Sequence, residues 1–268
     1  MIGEENVMPD TEAQADILAR ECLYRFLAAA LSAPGTARRG LLFDPKNQRL
    51  AGAAADLLRA EAGSACVPLG FGELPADDLD LGPLLDALRQ TGNDLAAEYQ
   101  RVFGLVVPRE CPPYETEYHS SSEPFFRAQQ LADIAGFYRA FGLDTSLKEP
   151  ERPDHLALEL EFMAFLLLKK RLALESMTTD TDADHASICD EAYARFFRDH
   201  LAWWIPSFAT GLRRKAGTGF YAALGQILGA VVPAERGHLG IAAPRLPLQP
   251  MLIEGPEEQA GCAGSLLA

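Results

Sequence analysis

Residues 154–176 read DHLALELEFMAFLLLKKRLALES. Leu156, Leu160, Met163, Leu166 and Leu167 recur three or four positions apart, which lines them along one stripe of a helix. Leu168 adds to the apolar run, and Lys169-Lys170-Arg171 lie toward the C-terminal end, where cations complement the helix dipole. Pro153 suits a helix's first turn, where its missing N–H costs nothing. Asp154, read in that first turn, favours the positive end of the dipole. This is the strongest apolar helix in the chain, and the other segments are judged by its period.

Toward the C-terminus, 177–184 reads as an acidic Thr/Asp loop. Helices are predicted over about Ala186–Trp203, Pro206–Lys215 and Phe220–Val231, with Pro206 marking an end or a kink. Toward the N-terminus, 143–153 is a loop, and Glu123–Phe141 is a helix stopped by Gly142. Pro83–Phe103 is helical, broken by Gly92-Asn93 into pieces of which the second is Asp94–Phe103, and Gly104 stops it. Residues 63–82 carry Gly, Pro and Asp and form a loop. Lys46–Ala62 and Glu12–Leu31 are helices, the latter with Ile17, Tyr24, Leu27 and Leu31 on one face. No stretch alternates apolar and polar residues as a half-buried strand would. The expected fold is therefore all-α, a single-domain multi-helix bundle over 12–232. A polar N-terminus, 1–11, precedes it, and a Pro/Gly-rich extended tail, 233–268, follows it.

Between two of these helices lies Arg109-Glu110-Cys111-Pro112-Pro113-Tyr114-Glu115-Thr116-Glu117-Tyr118. Pro112 and Pro113 fix φ and remove donors, so this is neither helix interior nor central strand. It reads as a stiff aromatic-acidic loop whose side chains are presented rather than buried, a candidate recognition surface.

Composition excludes several classes. The 268 residues carry 24 Lys+Arg against 38 Asp+Glu, a net charge of −14. That balance opposes general nucleic-acid binding and favours a basic partner. Cys22, Cys66, Cys111, Cys189 and Cys262 are odd in number and scattered. They match neither a disulfide framework nor a zinc knuckle, and they suit reduced thiols in the cytoplasm. The N-terminus has no basic and apolar export pattern. The longest uncharged run, 216–234, is broken by glycines and reads as a buried helix rather than a membrane span.

No nucleotide-binding or nucleophile-elbow motif occurs, so no enzyme activity and no cofactor are expected. His155 and Glu159 at i, i+4 could share a metal, as could Glu115 and His119 if that segment were helical. A di-iron bundle, however, needs two Glu-x-x-His pairs, and the sequence offers only Glu235–His238. The plainer reading makes His155 a partly buried histidine and Tyr193, Phe196, Phe197, Trp203, Trp204 and Phe208 core. A helical metal-dependent enzyme, or a general helical regulatory protein, remains the alternative class.

Four segments resemble one known family. These are Glu98-Tyr99-Gln100-Arg101-Val102-Phe103-Gly104, the loop Pro112–Tyr118, the segment Glu151-Arg152-Pro153-Asp154-His155 leading into Leu156–Met163, and His200-Leu201-Ala202-Trp203-Trp204-Ile205-Pro206-Ser207-Phe208. In this order, within an acidic helical chain, they are similar to the TorD/DmsD/NarJ family of redox-enzyme maturation chaperones. Val102 and Thr116 depart from that family's usual Leu and Ser. The resemblance implies a TorD-like fold and a cytoplasmic, non-catalytic chaperone, monomeric or a dimer swapped about 142–153. It implies binding to the twin-arginine leader or N-terminal region of an unfolded molybdopterin oxidoreductase subunit, delaying export until the cofactor is inserted. By analogy alone, the client would be a dimethyl sulfide, ethylbenzene, selenate or dimethyl sulfoxide enzyme. By family position, Tyr99, Phe103, Pro113, Tyr114, Tyr118, Asp154 and His155 line the groove. Pro112 and Glu159 neighbour them, and Glu115 and Glu117 supply carboxylates for client arginines.

Overall fold

A computed structural model describes residues 11–63, 67–104, 110–119, 124–144, 146, 148, 150–176 and 180–243. Nine α-helices carry the described fold: α1 Thr11–Leu31, α2 Pro45–Gly63, α3 Gly82–Thr91, α4 Leu95–Phe103, α5 Pro124–Ala140, α6 Leu156–Glu175, α7 Asp180–Phe196, α8 Ile205–Ala216 and α9 Phe220–Leu239. No strand occurs among the described residues, so the all-α expectation holds; their one β-bridge joins Tyr114 to His155. Gly92–Asp94 is a short 3₁₀ turn between α3 and α4, where the glycine break was expected.

Helix α6 packs along α1 and α7, and α1 along α2. Helix α9 packs along α8 and also meets α2, α3 and α4. The two groups are tied by charge: Arg20 of α1 donates from Nε to Glu235 of α9, and Tyr193 of α7 donates to the same carboxylate at 2.6 Å. The core is rich in large rings, with Trp204, Phe196, Phe197, Phe208, Phe220 and Tyr221 fully enclosed. No described helix is long and apolar enough to cross a membrane.

Three expectations change. Helix α6 begins at Leu156, two residues later than read, because His155 is its N-cap: Nδ1 accepts from the Ala157 N–H at 3.0 Å. Asp154 is thus outside the first turn and serves another purpose, described below. Helix α7 starts at Asp180, inside the stretch read as an acidic loop, ends at Phe196 and passes through a π-turn, Phe197–Leu201, rather than running regularly from Ala186 to Trp203.

The third change is at the C-terminus. The boundary placed at 233 falls inside α9, which continues through Pro233 to Leu239. A proline inside a helix frees the carbonyl four residues back. Here that carbonyl, Gly229, accepts from the Leu74 N–H at 2.9 Å, so the backbone group stays paired. Gly229 lets the Leu74 segment close in, since a Cβ there would lie 3.2 Å from Leu74 Cγ. The last turn is then held by Arg236, bonded to Glu73, Pro68 and Ile241. The N-terminal segment 1–10 and the tail 244–268 lie outside the described residues.

Candidate functional site

The loop 110–119 is not presented; it is docked. Cys111, Pro112, Pro113, Glu115, Thr116, Glu117 and Tyr118 are buried, and only Tyr114 and His119 are half-buried. The loop runs antiparallel to the lead-in of α6. Leu156 N–H donates to the Pro113 carbonyl at 2.9 Å, and Glu115 N–H to the Asp154 carbonyl at 3.0 Å. From the other side α8 approaches at Gly211, where a Cβ would sit 2.8 Å from the Glu110 carbonyl. The prolines suit this place, since they need no donor partners in a crowded wall. Glu115–Glu117 forms one 3₁₀ turn rather than an α-helix, yet His119 Nε2 still comes within 3.6 Å of the Glu115 carboxylate.

Arg152 is the hub. Its guanidinium bonds Asp154 from Nε (3.0 Å) and Nη2 (2.8 Å), Glu117 from Nη1 (3.1 Å) and Thr116 Oγ1 (2.8 Å). It also covers the Tyr114 ring, 4.2 Å from the centroid, a cation–π contact. Asp154, with no exposed surface, accepts besides from Thr116 N–H and Thr116 Oγ1. Glu117 is paired a second time, by Arg127 at 3.1 Å. The carboxylates expected to await client arginines are therefore engaged within the chain.

Beneath the hub, Glu115 lies 3.1 Å from His200 Nδ1. Glu159 is wholly buried, and no donor among the described residues reaches its oxygens. Burial, then the charges of Glu115 and Asp154, hold its carboxyl well above the usual carboxylate range. The His155 imidazole is engaged at Nδ1 by the α6 cap, and the Glu115 charge bears on Glu159. Among the described residues, donor atoms close enough to share a cation occur at Asp16, Glu61 and His238, but the Arg20 guanidinium already bridges the first two.

Burial pushes the His155 imidazole down to about 4 from its ordinary 6.5, against the pull of Glu151 and Asp154. The unfolded chain takes up this proton first. Stability is thus intact above about pH 6.5 and lost as pH falls toward about 4, by roughly 3 kcal/mol over the window. His155→Asn keeps a capping acceptor for Ala157 and removes the titration. Its acid melting series should fall less steeply between those pH values than wild type; equal slopes would show that the imidazole is charged in the fold.

The aromatic candidates divide. Tyr118 is 1% exposed and packs on Trp204, ring centroids 5.1 Å apart. Phe103 is buried against Tyr221 at 5.2 Å. Tyr99 and Tyr114 are half-buried. Tyr99 packs on Phe103 at 4.9 Å, with Arg39 over its ring. The Tyr114 hydroxyl reaches Glu151 at 3.4 Å, and the Glu151 charge also bears on Tyr99. The half-open face of the site is thus Tyr99, Tyr114, Glu151 and Arg152. Sequence reasoning did not assign the last two. A signal existed: a carboxylate destined for burial needs a cation, and Arg152 stands two residues before Asp154.

The family model for the nitrate reductase delta subunit matches residues 74–210, a stretch that contains the four motif segments. The selenate reductase assembly chaperone protein of Thauera selenatis is 37% identical over 116 residues, 43% of this chain and 56% of that protein. The chlorate reductase assembly chaperone protein of Ideonella dechloratans is 36% identical over 110 residues, 41% and 53% respectively. The chaperone protein TorD of Aeromonas salmonicida is 26% identical over 150 residues, 56% and 63%. The chain thus spans about half the length of the first two relatives. With the family model matched over just more than half of it, the chain belongs to the nitrate reductase delta subunit family, the TorD/NarJ family that its motifs resemble.

Proposed function

We propose that this protein is a cytoplasmic, client-specific maturation chaperone without catalytic activity. Its client is the apo form of a molybdopterin reductase catalytic subunit, bound through its basic twin-arginine leader or N-terminal region. It delays export until the cofactor is in place. The observation that carries this reading is the run of relatives named as assembly chaperones of selenate, chlorate and perchlorate reductases. A net charge of −14 favours a basic leader. Nucleic acid is not a partner on the same ground. The protein acts as a monomer or as a dimer exchanging helices about 142–153.

The contact surface is the half-open face rather than the buried wall. Tyr114→Ala is expected to weaken client binding by about 1–3 kcal/mol while leaving the helices in place. Tyr118→Ala and Asp154→Ala are different cases, because both side chains support the fold. The test is affinity capture from cells making a molybdoenzyme, with mass spectrometry of what is retained. Retention of its precursor, reduced in Tyr114→Ala, supports the function and the face. Recovery of no such precursor overturns the function; equal retention by the variant removes Tyr114 from the contact.

A further inference from the structure

Glu115 and Glu159 are wholly buried and lie within hydrogen-bond reach of each other, one on the docked loop and one on α6. Among the described residues, no donor reaches Glu115 Oε1 or either oxygen of Glu159. Carboxylates only accept, so two of them in contact and out of water repel each other and leave their lone pairs unmet. One proton between them removes both penalties, since one carboxyl then donates and the other accepts. The groups around the pair supply no substitute. Asp154, on the α6 lead-in, is a third carboxylate and is bonded by Arg152. His200, on the π-turn, meets the other Glu115 oxygen at 3.1 Å, and Asp133 of α5 stands 3.6 Å from its Nε2. His119 Nε2 stays 3.6 Å from the Glu115 carboxylate, and the Tyr138 hydroxyl of α5 donates to the Pro153 carbonyl instead.

We propose that Glu115 and Glu159 share one proton, which latches the loop 110–119 onto α6 and is released to solvent when the loop lifts. Lifting wets both carboxyls, and a wet glutamate ionises near its ordinary 4.5. In the closed loop, burial and the charges of Glu115 and Asp154 hold the Glu159 carboxyl well above that range. The closed form therefore binds one proton more than the open one. Opening is insensitive to pH below about 4.5, and above it is favoured about tenfold per pH unit until pH passes the raised value of the closed form. The loop carries Tyr114, so the wall behind the half-open face loosens toward alkaline pH. This device holds whatever the loop binds and does not rest on the chaperone reading.

Two readouts test it. Infrared absorption at neutral pH should show the carbonyl band of a protonated carboxyl, distinct from the carboxylate bands. Glu159→Gln removes that band, because an amide replaces the acid while still donating to Glu115. Glu115→Gln should shift or remove it, because the acceptor of the shared proton has changed; this variant carries the test if the first does not fold. Hydrogen exchange of the 115–118 amides between about pH 6 and 8 gives the second readout. Wild type should accelerate with pH more steeply than Glu159→Gln, the excess approaching about tenfold per pH unit. His119, His200 and Asp133 remain in that variant, so the excess belongs to the shared proton. A wild type without the band, or a band untouched by Glu115→Gln, overturns the sharing. Equal pH dependence of exchange in wild type and Glu159→Gln overturns the latch.

Discussion

Arg152→Ala is expected to cost about 3–5 kcal/mol of stability, because it leaves the wholly buried Asp154 carboxylate without a counter-charge. For a chain of this size that is a fall in melting temperature on the order of 10 °C. The same change deprives Glu117 of one of its two cations and uncovers one face of Tyr114. Arg152→Lys should rescue little, since an ammonium cannot reproduce the fork that spans Asp154, Glu117 and Thr116. Adding Asp154→Asn to the alanine variant should restore part of the loss, as the uncompensated charge is then gone. Thermal melts of the three variants decide the matter. A melting temperature for Arg152→Ala within ~1 °C of wild type would mean that the hub contributes nothing to the fold.

Arg236→Ala is expected to have an effect of the same size for a related reason. Its guanidinium meets Glu73 at 2.7 Å and 2.5 Å, and both side chains are essentially withdrawn from water. Removing one partner of such a pair costs about 3–5 kcal/mol. The Ile241 and Pro68 carbonyls, which accept at 2.9 and 2.8 Å, lose their donor as well. The damage should concentrate past Pro233, where α9 depends on partners outside itself. Denaturant melts give the global loss, and hydrogen exchange locates it. Protection of the amides of 235–239 should fall further than that of 224–232. Uniform loss along the helix would show that the arginine acts on the whole bundle rather than on its end.

The helices were legible where each carried its own apolar stripe. Helix α6 declares itself through Leu156, Leu160, Met163 and Leu167, and the Gly92 break between α3 and α4 is local chemistry. The end of α9 was not legible, because what rescues Pro233 is the Leu74 N–H, supplied from a distant part of the chain. A local rule for proline reads only the lost bond and never its replacement.

The same distinction explains the loop. Glu115 and Glu117 look like presented acids in their loop, and Asp154 like a first-turn residue answering a helix dipole. Their partners His200, Arg127 and Arg152 come from the π-turn, α5 and the α6 lead-in. The motif residues Tyr99, Tyr114 and His155 come together around Glu151 and Arg152. Which side chains face outward depends on three elements meeting, and no single segment encodes that.

Cys111 gives the docked loop a chemical clock. Its thiol has no exposed surface, and burial, then the Glu110 charge, push it up to about 12. Thiolate is the form that reacts, so at neutral pH the closed loop offers a disulfide reagent almost nothing. Reaction at this sulfur must wait until the Glu110-Cys111 segment lifts from Gly211 of α8. The rate at which Cys111 is consumed then measures how often the wall behind the half-open face comes apart. A bound occupant that braces the wall would slow that clock without touching the sulfur.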